Sequence, residues 1–75
     1  MVQDKAGYIW IGTEFGLNKF DGYRFTNYLH TDADSMSIPN NIIVSLFVDK
    51  EGNIIVGTTK GLAKYNNAAN NFEKF

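Results

Sequence analysis

A shift of 45 residues lays one part of this chain on another, and that internal repeat limits the possible folds more than any other property of the sequence. Asp4-Lys5-Ala6-Gly7-Tyr8-Ile9-Trp10-Ile11-Gly12-Thr13 falls on Asp49-Lys50-Glu51-Gly52-Asn53-Ile54-Ile55-Val56-Gly57-Thr58, and Gly16-Leu17-Asn18-Lys19-Phe20 falls on Gly61-Leu62-Ala63-Lys64-Tyr65. Nine of the 17 positions from Asp4 to Phe20 are identical. After two additional residues in the second copy, Phe25 and Tyr28 fall on Phe72 and Phe75.

Inside each copy, glycine or asparagine recurs every eight to ten residues and short β-branched or aromatic runs lie between, which is hairpin punctuation. The segment Asn41 to Asp49 alternates, with Ile42, Val44, Leu46 and Val48 on one face and Ile43, Ser45 and Phe47 on the other. It reads as a strand covered on both sides. Asp49 to Asn53 is a hairpin loop with a bulge, its aspartate placed to accept turn amides and Gly52 placed for a left-handed backbone. Strands over Ile54–Thr58, Leu62–Tyr65 and Asn71–Phe75 complete a four-stranded antiparallel unit. The first copy offers the same second, third and fourth strands at Tyr8–Thr13, Leu17–Phe20 and Tyr23–Tyr28, with Asp21-Gly22 as a type I′ turn signal. Only Val2-Gln3 remains for its first strand.

Four-stranded antiparallel units repeating at 40 to 50 residues are the signature of β-propeller blades. The expected architecture is therefore all-β: an incomplete blade at 1–28, an inter-blade connection at 29–40 and a complete four-stranded blade at 41–75. Roughly four to eight blades close a ring, so two blades read as a fragment of a larger propeller. Blade faces pack mainly on neighbouring blades, and two blades alone turn Ile, Phe and Trp side chains to water. A marginal monomer, or self-association through the open faces and edge strands, is the expectation for the isolated chain.

The motif Asp-x-x-Gly-x-Ile-Trp-Ile-Gly-Thr-x-x-Gly-Leu-x-x-Phe-Asp, from Asp4 to Asp21, closely resembles the two-component regulator propeller repeat. Ser35 to Ile42 is similar to that family's lead into the next blade. Ile55 departs from the pattern where tryptophan is usual, and Asn67 departs where the first copy has Gly22. The resemblance implies part of a seven-bladed periplasmic sensor in a bacterial hybrid two-component protein, one that responds to glycan breakdown products and controls genes for their use. It further implies that the partners of this segment are the remaining blades and an oligosaccharide, with no direct contact to nucleic acid or membrane. The phosphoacceptor histidine box and nucleotide-binding glycines of a kinase core do not occur in these residues.

Composition narrows the chemistry. Seven Lys and Arg against eight Asp and Glu give a net charge of −1, without the basic footprint of a nucleic-acid binder. The chain has no cysteine and a single histidine, His30, so neither a thiolate nucleophile nor a cysteine or multi-histidine zinc site can form. No apolar run approaches the ~20 residues of a membrane span, and no leader is expected within these residues. No cofactor is expected.

Most of the conspicuous residues have structural readings. Trp10 suits a packed position between blades better than a sugar platform. Gly12-Thr13 and Gly57-Thr58 lack the following helix of a phosphate loop and suit strand geometry. Asp4 and Asp49, with Gly7 and Gly52, read as turn formers: carboxylates cluster too little here for calcium, and the Asp-to-Gly spacing is one residue longer than in a sialidase Asp box. Gly16, Leu17, Gly61 and Leu62 complete the structural motif. The candidate ligand contacts are Tyr23 and Arg24, an aromatic and polar pair on a hairpin, and His30 and Asp32 in the connection, on loops of the kind that carry binding residues. Tyr8 and Phe15 are further aromatic candidates. His30 with Asp32 and Asp34 lacks a nucleophile, so no catalytic residue is assigned. Two other functions stay open at this stage: a propeller enzyme such as a lyase or glycosidase, and a protein-interaction propeller without a small ligand.

Overall fold

The computed structural model describes all 75 residues, Met1 to Phe75. The first sheet contains β1 (Val2–Gln3), β2 (Ile9–Thr13), β3 (Gly16–Phe20) and β4 (Phe25–Tyr28). The second contains β5 (Ile43–Val48), β6 (Ile54–Thr58), β7 (Gly61–Asn66) and β8 (Asn71–Lys74). Both are antiparallel meanders in which spatial order follows chain order. This is the all-β pair of blades that the repeat predicts, with two residues in β1 against six in β5.

Local chemistry explains why the strands turn where they do. In the β1–β2 loop the Asp4 N–H donates to the Tyr8 carbonyl at 2.9 Å and the Gly7 N–H to the Asp4 carbonyl at 3.0 Å. One Asp4 oxygen, Oδ1, accepts from the N–H groups of Ala6 and Tyr8. The β5–β6 loop repeats this, Asp49 Oδ1 accepting from Glu51 and Asn53. Gly7 and Gly52 both sit at positive φ, 96° and 87°, a conformation costly for any residue with a Cβ. The tight turns after β2 and β6 are closed by threonine. Thr13 Oγ1 donates to the Gly16 carbonyl and accepts from the Phe15 N–H, and Thr58 does the same with Gly61 and Lys60.

Pairing fixes which side chains share a face. In the first sheet Trp10, Gly12, Leu17 and Tyr28 lie on one side, here the front, and Ile9, Ile11, Phe20 and Phe25 on the other, the back. The back of the second sheet presents Ile54, Val56, Tyr65 and Phe72, and these residues form one buried cluster with Trp10, Leu17 and Ala63. The core is therefore the seam between two blades. It is thin: 13 of 75 residues are buried, while 11 large apolar side chains are exposed. Gly12 permits the close approach of the blades, since a Cβ there would overlap the Ile43 side chain, its Cβ lying only 2.9 Å away.

Three local expectations need correction. A bulge between Ile43 and Ser45 breaks the alternation of β5, so that Ile43, Leu46 and Val48 pack on the core while Val44 is 64% exposed and Ile42 is also exposed. The opposite side of β5 is open, with Phe47 50% exposed. The Asp21-Gly22 pair does not centre a type I′ turn, because Gly22 alone takes positive φ (92°). Asp21 stands before the turn, its N–H donating to the Arg24 carbonyl and its Oδ1 accepting from the N–H groups of Tyr23 and Arg24.

Candidate functional site

The connection between blades is more than a polar tether. Ile38 is fully buried and belongs to the core cluster, and Ser37 is buried beside it. Ser37 Oγ accepts from the Thr31 N–H and lies 3.0 and 2.8 Å from the carbonyls of Thr31 and Asp34, one of which takes its proton. The Phe72 N–H donates to the Met36 carbonyl, which adds the connection to the free edge of β8. The Gly16 N–H donates to the Asn41 carbonyl, fastening the far end of the connection to the first blade.

His30 is held within this frame. Its backbone N–H donates to Asn41 Oδ1, its Nδ1 lies 2.7 Å from the Ile38 carbonyl, and its Nε2 lies 2.8 Å from Asp32 Oδ1. A carbonyl and a carboxylate are both acceptors, so only the imidazolium donates to both. The Ile38 carbonyl first, and the Asp32 carboxylate second, therefore raise the His30 pKa above its usual 6.5. Charge on the ring fastens the connection, and its contacts are those of a latch.

Tyr23 and Arg24 stand at the opposite end of β4, in the β3–β4 turn, where Tyr23 is 87% exposed. The Arg24 and Tyr23 N–H groups hold the Asp21 carboxyl below the ordinary aspartate range. At about 3.3 Å per strand residue, β4 keeps this pair well over 10 Å from His30. The four candidate ligand residues thus form two pairs on opposite rims.

The rim that carries the Asp-x-x-Gly loops also holds a cavity of about 160 Å³, lined by Asp4, Lys5, Glu51, Asn53, Tyr65 and Asn67 among others. Lys5 crosses from the first blade to the second, its Nζ donating to the Glu51 carbonyl at 3.0 Å. Beneath lies the aromatic seam. The tryptophan expected among the water-facing side chains is instead enclosed by the seam: Trp10 has no exposed surface, stacks on Tyr28 at 5.8 Å and meets Tyr65 of the second blade at 4.7 Å between ring centroids. The indole N–H donates to Asp4 Oδ2 at 2.9 Å, so one carboxylate holds both the loop amides and the tryptophan. Lys19 places its Nζ 5.0 to 5.9 Å from the rings of Tyr8, Trp10, Tyr28 and Tyr65, within cation–π range of all four.

Asn70 adds a join that sequence reading missed. Its Oδ1 accepts from Tyr28 Oη of the first blade at 2.7 Å and from Tyr65 Oη of the second at 2.8 Å, while its backbone takes φ 54°. Burial, then the neighbouring Tyr65 hydroxyl, push the Tyr28 phenol well above its ordinary pKa. Asparagine tolerates the left-handed region better than most residues, which was the available signal in the Asn-rich stretch before β8.

The family model of the two-component regulator propeller matches residues 1–15 and 37–60, just over half of the sequence. The chain belongs to the two-component regulator propeller family. It is also similar to Histidine kinase P4 of Formosa agariphila, at 56% identity over 36 residues, which is 48% of this chain and 3% of that protein. The chain thus spans a small fraction of the relative it matches. The matched residues of the propeller repeat include both Asp-headed loops, Trp10 and both Gly-Thr pairs, the elements that build the seam and its rim.

Proposed function

We propose that this chain is a two-blade section of the extracytoplasmic, periplasmic sensor propeller of a hybrid two-component regulator, where it supplies scaffold and part of an oligosaccharide-recognition surface. The observation that carries this reading is the seam. Repeat-encoded residues of one blade dock on the next, so the loops of adjacent blades stand side by side on a rigid rim, the arrangement in which loops carry recognition. Family membership and the histidine kinase relative support the signalling role. The exposed Tyr23 and Arg24 suit a sugar: an aromatic face for the apolar side of a pyranose and a guanidinium for hydroxyls or a uronate. A ligand signals only by favouring one arrangement of the sensor over another, and blades joined by a thin core can transmit such a bias.

The test is an amide-resolved NMR titration of the chain with neutral and uronate-containing oligosaccharides. Saturable shifts at Tyr23 and Arg24, or at His30 and Asp32, with loss of the former in Arg24→Ala, are expected. No saturable shift at either pair would count against ligand recognition by these blades.

A further inference from the structure

The two open faces of this chain are the two halves of an interface it already makes internally. On the back of the first blade, Ile9, Ile11, Phe20 and Phe25 occupy the positions that Ile54, Val56, Tyr65 and Phe72 occupy on the back of the second. On the front of the second blade, Ile55, Gly57, Leu62 and Phe75 stand where the first has Trp10, Gly12, Leu17 and Tyr28. Inside the chain a front of this pattern covers a back of this pattern, with Trp10 against Tyr65. On the unused front Phe47 is 50%, Leu62 47% and Phe75 78% exposed, around a buried Ile55 and beside Lys64 and Glu73. On the unused back, Phe25 is 61% exposed.

We propose that the isolated chain associates head to tail, the back of the first blade of one copy docking on the front of the second blade of another. This reading stands apart from the sensor role. The contact is heterologous, because two different surfaces meet, and it repeats from copy to copy until a ring closes or a filament grows. Continuity with the internal seam selects a second copy as the occupant, since that copy brings the aliphatic and aromatic pattern that the front already accepts. On the back of the first blade Asn18 stands where the internal seam has the buried Ala63 of the second. The contact between copies is accordingly weaker than the internal one and depends on concentration.

Light scattering across a concentration series tests this on the 75-residue chain and on two variants with one face blocked. Leu62→Lys blocks the front and Phe25→Glu blocks the back; both side chains lie outside the core cluster. Amide exchange verifies that each variant folds, and Phe47→Lys replaces Leu62→Lys if it does not. The unmodified chain is expected to rise in mass with concentration to at least two copies. Each variant alone remains a single chain, and their equimolar mixture reaches two chains and stops, because one intact front meets one intact back. A monomeric unmodified chain, a mixture that does not associate, or a single blocked variant that still self-associates would overturn the proposal, the last by showing that a face pairs with itself.

Discussion

In the first blade the second oxygen of the Asp4 carboxylate takes the indole N–H of Trp10 at 2.9 Å. In the second, where Ile55 occupies the tryptophan position, the same oxygen of Asp49 takes Asn53 Nδ2 at 3.2 Å. Two of the positions that differ between the copies, Tyr8 against Asn53 and Trp10 against Ile55, thus set which donor meets that oxygen. A carboxylate that caps a loop through Oδ1 keeps Oδ2 free for a donor, and an unfilled acceptor loses the stabilisation of a charge-assisted hydrogen bond. When the indole is absent, a nearby amide supplies the N–H. The comparison also separates two roles within one repeat. Trp10 fills a seam between blades, whereas Ile55 lies between its strand neighbours Phe47 and Lys64 on the face turned away from the seam.

The largest test of this difference is Trp10→Ala. It removes a fully buried aromatic from the centre of the seam, at an expected cost of about 3–5 kcal/mol. A chain of this length has only about 4–11 kcal/mol in total, so urea denaturation should show severe destabilisation or loss of the folded state. Ile55→Ala, on the open front, should cost about 2 kcal/mol, at the low end for a buried aliphatic. Equal losses in the two variants would break the distinction between seam and face.

Gly12→Ala comes next. The added methyl enters space held by Ile43, and about 1–3 kcal/mol of overpacking is expected, read as a lower denaturation midpoint. An unchanged midpoint would mean that the blades do not approach as closely as the seam requires.

Smaller effects sharpen the carboxylate comparison. Asp4→Asn keeps an oxygen for the loop amides but sets an NH₂ against the indole N–H, and about 1 kcal/mol should be lost together with a change in Trp10 fluorescence. The N–H groups around Asp49, that of Asn53 first, lower its pKa below 3.8. Its contribution is thus complete above pH 3.8 and fades as pH falls through the lower folded value. Asp49→Asn should flatten that acid limb of a stability profile.

The smallest effect concerns the latch in the connection. The folded pKa of His30 is raised, so its stabilising contribution is complete below pH 6.5 and is lost as pH rises through the folded value. A ring-proton titration should place the His30 midpoint above 6.5. Asp32→Asn should move it down without abolishing the shift, because the Ile38 carbonyl remains, while the positive charge of Lys74 acts in the opposite sense. A midpoint at 6.5 in the unmodified chain would remove the latch.

Strand positions were legible because glycine and aspartate carry local turn chemistry and because the repeat supplied three of the four strands twice, whereas Thr13 and Thr58 were read for the pleat and not for the turns they close. The identity of the seam was legible only in part. Trp10 stood out by its size, yet neither pattern nor composition reveals that Asp4 holds it, since the bond spans six positions and depends on the pleat of β2. The β5 face was misread because a bulge between Ile43 and Ser45 shifts the alternation, and pairing sets bulges more than local propensity does. Ile38 escaped notice for a related reason. It is an isolated apolar residue in a polar segment, and only the return of the connection to β8 places it in the core. The candidate ligand residues were identifiable as exposed positions and the strand expected over Tyr23–Tyr28 already kept the two pairs apart, but that strand begins at Phe25 and leaves Tyr23 and Arg24 in the turn.

The ammonium of Lys19 is ringed by Tyr8, Trp10 and Tyr28 of its own blade and by Tyr65 of the other. Three of these rings move with Lys19 and only Tyr65 crosses the seam, so an acylating reagent reaches the amine less readily while the blades are closed than after they part. Five other lysines in the same chain serve as internal standards. Lys19 is thereby a chemical clock for the seam, able to report its opening by mass spectrometry in a sample too dilute or too mixed for any structural method.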